Sequence, residues 1–159
     1  MKYSDDLFDV NHDVKWASVI GVLCGIASGF AAVYNAGAAY IFISILIGNV
    51  LAFKVDGIHH VVALIVFALI CIILGIPELS IVILLICVLS AISDEVGHEL
   101  ISKFTDNIFL NLFFEYRFVM KIVVLLLAIF EVFDFWIFAC FILFEISYVM
   151  AGIVFEKLN

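Results

Sequence analysis

Two short stretches hold most of the side chains able to do chemistry. The first, Asp94-Glu95-Val96-Gly97-His98-Glu99, sets three carboxylates and an imidazole within six residues. On a continuous helix Asp94 and His98 share a face, and so do Glu95 and Glu99. Glu95 and His98 make one E-x-x-H step, the kind used in di-iron carboxylate bundles. Like charges at this spacing repel by about 0.2–0.5 kcal/mol per exposed pair. Acids near a helix C-terminus also oppose the macrodipole. A bound cation reverses both penalties, so the pattern predicts a divalent metal. The other reading leaves these acids solvated beside Lys103 and Arg117. An H-E-x-x-H motif is absent, because Ser102 stands where its second histidine would be.

The second stretch is Asp56-Gly57-Ile58-His59-His60. Mixed imidazole and carboxylate ligation suits Zn, Mn or Fe, and oxygen-dominated ligation suits Mg or Mn. Adjacent histidines on a helix point about 100° apart, so one of the two is expected to join a site. Asp56 is equally suited to capping a helix. The expected metal ligands are Asp56, His59, His60, Asp94, Glu95, His98 and Glu99, with His12 a further candidate. Glu95, Glu99 and Arg117 are the candidate catalytic residues, and Arg117 and Lys121 could hold a phosphate.

Glu145 stands alone inside a long apolar run. A charge at mid-bilayer costs at least about 2.5–3.5 kcal/mol, so such a residue is expected to face the bundle interior and to matter. A neutral, hydrogen-bonded Glu145 is the structural alternative.

The elements that carry these residues are apolar. Of 159 residues, 67% are hydrophobic and 14% charged, whereas soluble domains are about half apolar and a quarter charged. Six runs approach the about 20 residues that cross a bilayer: 16–33, 37–53, 60–76, 79–93, 118–133 and 135–155. The expected fold is all-α, a polytopic membrane helix bundle of about six transmembrane helices. One interfacial amphipathic helix is added over 104–118, where Lys103, Asn107, Asn111 and Glu115 form a polar stripe. Residues 1–15 are expected to be a retained cytoplasmic N-terminal tail, because they lack the basic start of a signal peptide. Residues 16–159 form the membrane domain.

With both termini cytoplasmic, all seven basic residues (Lys2, Lys15, Lys54, Lys103, Arg117, Lys121 and Lys157) fall on or near that side. Both acidic patches then share one membrane face. Ala17, Gly21, Gly25 and Gly29 repeat every four residues as a close-packing face, open to another helix or to a second copy in a homo-oligomer. The cysteines Cys24, Cys71, Cys87 and Cys140 read as small hydrophobes. A net charge of -8 excludes nucleic acid as a partner.

The CDP-alcohol phosphotransferases also use six spans and an Asp-rich cytoplasmic metal site. Their signature needs Ala-Arg after Asp-Gly and further downstream Asp residues. Here Asp56-Gly57 is followed by Ile58-His59-His60, so the chain is not placed in that family. The function expected from the residues is a divalent-metal-dependent enzyme of the cell membrane, acting on a lipid or phosphorylated substrate. A cation transporter or channel using Glu145, with a cation as substrate, and a structural subunit of a membrane complex are the alternatives.

Overall fold

A computed structural model describes residues 1–55, 57–104 and 107–158, so Asp56 lies outside the described residues. Every regular element among them is helical: α1 (Lys2–Asp9), α2 (Val14–Tyr34), α3 (Ala36–Leu51), α4 (Ile58–Leu74), α5 (Ile81–Phe104), α6 (Ile108–Glu115), α7 (Phe118–Ile129) and α8 (Phe135–Leu158).

Local chemistry sets the boundaries. Asp13 caps α2 by accepting the Trp16 N–H at 3.2 Å, and Asn35 caps α3 by accepting the Ala38 N–H at 2.9 Å. Gly75, at φ +79°, ends α4 two residues before Pro77. Arg117 and Glu131 take left-handed backbone at either end of α7.

Three helices are long and apolar enough to cross a membrane: Val14–Tyr34, Ile81–Ile101 within α5, and Phe135–Leu158. That is fewer than the six expected. Ala36–Leu51, Ile58–Leu74 and Phe118–Ile129 are apolar but shorter. With 12 residues, α7 is about 18 Å long at 1.5 Å per residue. The expected 104–118 helix is also corrected. Residue 104 ends α5, the next helix starts at Ile108, and the left-handed Arg117 separates it from α7.

The helices thread back and forth, so their turns gather at two ends. At one end the Ser80 N–H donates to the Tyr40 hydroxyl. The Tyr40 ring stacks on Phe133 with centroids 5.4 Å apart. At the other end Lys54 reaches Glu95 and Asp5 reaches His59. Between them Tyr40, Ile41, Cys87, Ala91, Met120, Val124, Phe133 and Phe141 form the main core.

The glycine face of α2 meets α4 of the same chain. A Cβ on Gly21 would lie 2.5 Å from the His59 carbonyl oxygen, and one on Gly25 would lie 2.6 Å from that of Ala63. The close-packing face expected from the small residues is thus met by a helix of the same chain. The N-terminal segment packs against the other helices. The Ser4 hydroxyl donates to the Ala17 carbonyl at 2.7 Å, and Tyr3 packs edge-on against Phe155 of α8. Helix α1 thus lies across the ends of α2 and α8.

Candidate functional site

The charged end holds two adjoining groups of polar side chains. The first joins α1 to the first turn of α4. Oδ1 of Asp5 lies 2.9 Å from Nε2 of His59 and 3.2 Å from Nε2 of His60. Their ligand-type atoms all fall within 4.8 Å of one another. His59 is 2% exposed, and its Nδ1 has no hydrogen-bond partner among the described residues. Its ring folds back over Gly57, where a Cβ would lie 2.2 Å from Cε1. Only glycine leaves room for that orientation.

Both imidazoles take part, where the helical spacing led us to expect one. At the very start of α4 the two rings tilt together, with centroids 4.3 Å apart, and both Nε2 atoms converge on Asp5. Two imidazoles and a carboxylate are a donor set for zinc or another first-row ion, with a fourth position open to water or substrate. A tetrahedral ion about 2.1 Å from each donor would hold the donors about 3.4 Å apart, against 2.9 and 3.2 Å from Asp5 to the two imidazoles.

The second group lies deeper and belongs to α5, α7 and α8. Asp94 is 1% exposed. Its two oxygens accept the Val119 N–H at 3.0 Å and the Met120 N–H at 2.7 Å. These donors open α7, where a helix leaves its N–H groups unsatisfied. Glu95 puts Oε2 on Lys54 and Oε1 on Arg117, both at 2.7 Å. The guanidinium of Arg117 also sits over the Tyr148 ring, 5.4 Å from its centroid. Burial works against the Arg117 charge. Glu95, Tyr148, Glu145 and Asp94 together outweigh this, so the Arg117 pKa stands above the usual value. Holding a non-glycine residue left-handed costs about 1–3 kcal/mol, and at Arg117 that turn presents the guanidinium to Glu95. Glu145, near the middle of α8, is buried and lies 3.0 Å from Lys121. A small cavity opens among Asn49, Asp94, Glu95, Arg117 and Glu145.

The placement differs from the sequence expectation in specific ways. Lys54, in the loop before the 56–60 stretch, pairs with Glu95 of the 94–99 segment. Among the described residues, however, the group that could hold a metal is Asp5, His59 and His60. Asp94 is engaged by backbone N–H groups and Glu95 by two cations, while His98 and Glu99 are exposed. The physical reason is that α5 continues unbroken to Phe104. His98 and Glu99 keep the faces of Asp94 and Glu95 but lie one turn further along α5, where they are exposed. Asp56 lies outside the described residues. Arg117 and Lys121, expected as phosphate ligands, each pair with a carboxylate, Arg117 through one terminal nitrogen.

Sequence reasoning missed Asp5, Lys54 and Tyr148. Asp5 is one of four aspartates in the first thirteen residues, and nothing in its spacing distinguishes it. Tyr148 stands three residues after Glu145, which puts both on one helical face, and that was the available signal.

Fold and site together define an all-helical protein with membrane-length helices and a polar, partly buried centre at one end. Neither a family model, a curated protein nor a solved structure matches the chain.

Proposed function

We propose that the chain is a polytopic membrane enzyme that holds a divalent metal ion at Asp5, His59 and His60. It would use the ion on a lipid or phosphorylated substrate at the cytoplasmic surface. The observation that carries this reading is the convergence of two imidazoles and one carboxylate from separate helices, with one imidazole fully buried. The ion would polarise a phosphoryl or carbonyl oxygen, or lower the pKa of a bound water.

The membrane placement is part of the same proposal. Helices α3, α4 and α7 complete six crossings as short spans, which a bilayer accommodates by local thinning. The charged end then faces the cytoplasm, in keeping with the distribution of Lys and Arg. The transport reading through Glu145 is weaker, because that carboxylate already faces the ammonium of Lys121.

The test is elemental analysis of the purified chain, with Asp5→Ala and His59→Ala prepared in parallel. About one equivalent of a divalent metal in the parent and a loss in both variants is expected. A parent that binds no metal when offered Zn, Mn, Fe or Mg sinks the reading.

A further inference from the structure

We infer that Lys54 and Arg117 form a binding site for a phosphate group at the rim of the cavity beside Glu95. The inference rests on the membrane placement proposed above and does not require the metal.

Among the described residues, the two cations share one carboxylate. Lys54 holds Oε2 of Glu95 and Arg117 holds Oε1, each at 2.7 Å. Asp94 and Glu145 also lie close enough to act on Arg117, while Asp94 accepts the N–H groups that open α7 and Glu145 pairs with Lys121. The layering, not the count, favours an anion. The Glu95 side chain is 6% exposed, while those of Lys54 and Arg117 are 34% and 28% exposed. The carboxylate lies inside and the cations lie outside it, so an arriving anion meets the cations first.

The donors suit phosphate oxygens. Glu95 engages one terminal nitrogen of Arg117, and the rest of the guanidinium fork matches the oxygens of a phosphate. Tyr148 lies under its face and fixes its plane. Both cations sit just outside the apolar helices, Lys54 after α3 and Arg117 before α7. In the proposed placement that is the depth of lipid headgroups. A chain of net charge -8 repels anions in bulk, so a local positive rim favours a phosphate delivered along the membrane. The shared chemistry with free phosphate is the same, and the test separates the two sources.

The experiment uses the full chain in neutral detergent, with and without chelator. Retention of phosphatidic acid is compared with that of diacylglycerol, which lacks the phosphate. At least tenfold preference for phosphatidic acid is expected, unchanged by chelator. Lys54→Gln and Arg117→Gln should each lower it threefold or more. Glu95→Gln should preserve or raise it, because the internal competitor for the cations is gone. Equal retention of the two lipids overturns the inference. A folded Glu95→Gln protein that loses the preference also overturns it, since the cations would then serve only the ion pair. Should Glu95→Gln fail to fold, an unchanged ratio in Lys54→Gln has the same force. Competition by millimolar inorganic phosphate supports a site open to free phosphate as well. Its failure to compete supports a site for lipid phosphate. Because chelated protein is assayed in parallel, the metal reading can fail while this one stands.

Discussion

Oδ1 of Asp5 lies 2.9 Å from Nε2 of His59, a pairing that fastens the N-terminal helix to the first turn of α4 across 54 positions of sequence. If an ion occupies the site, it replaces this hydrogen bond with two stronger bonds and clamps α1 harder. Metal removal should therefore loosen α1. Hydrogen exchange at residues 2–9 is expected to accelerate on chelation and to recover on adding Zn. In His59→Ala it should be fast in both conditions. Ligand binding at about 100 times Kd adds about 2.7 kcal/mol to stability, so the melting temperature should rise with Zn in the parent alone.

Asp94 gives a different outcome. Asp94→Ala leaves the buried N–H groups of Val119 and Met120 without their acceptor. Each lost partner costs about 1–3 kcal/mol, so a drop of at least about 2 kcal/mol in unfolding free energy is expected. Asp94→Asn keeps one acceptor oxygen and should fall between. Metal stoichiometry should be unchanged in whatever fraction remains folded. Thermal unfolding in detergent beside elemental analysis checks both statements.

The Lys121–Glu145 pair predicts a non-additive result. Their side chains are 16% and 10% exposed. Removing one partner of a buried pair costs about 3–5 kcal/mol, whereas replacing both with apolar groups is often neutral. Glu145→Gln should lie toward the lower bound, because Lys121 also donates to the Tyr116 carbonyl and lies over the Phe118 ring. Lys121→Met with Glu145→Leu should be more stable than Glu145→Gln alone. A double variant worse than the sum of its singles contradicts the assignment.

The α2–α4 contact predicts sensitivity to a single methyl group. Gly21→Ala and Gly25→Ala place Cβ against backbone carbonyls that cannot swing aside. Overpacking of this kind costs about 1–3 kcal/mol. At Gly75 a Cβ meets nothing within 4 Å, and the penalty comes only from the φ of +79°. Melting temperatures of the three variants should separate the two causes. The Gly21 variant should also weaken metal binding at the proposed site, because the Gly21 contact is to the His59 backbone.

Hydrophobic content and the spacing of polar breaks were enough to read an all-helical chain, its turns near Asn35 and Asp134, and the small-residue seam at Gly21, Gly25 and Gly29. These are properties of local runs, where solvent preference and backbone propensity act residue by residue. The likeness of Asp94 to a metal ligand was legible too, but its role was not. A buried carboxylate can hold an ion or accept two backbone N–H groups, and only the position of Val119 and Met120 decides between them. Tertiary structure alone selected Asp5 from four similar aspartates, by laying α1 across the bundle at the height of His59. It alone paired Glu95 with two cations from distant turns. Such choices depend on which side chains meet in space, and the energy of a charge in a low-dielectric interior is set by those neighbours rather than by its place in the chain.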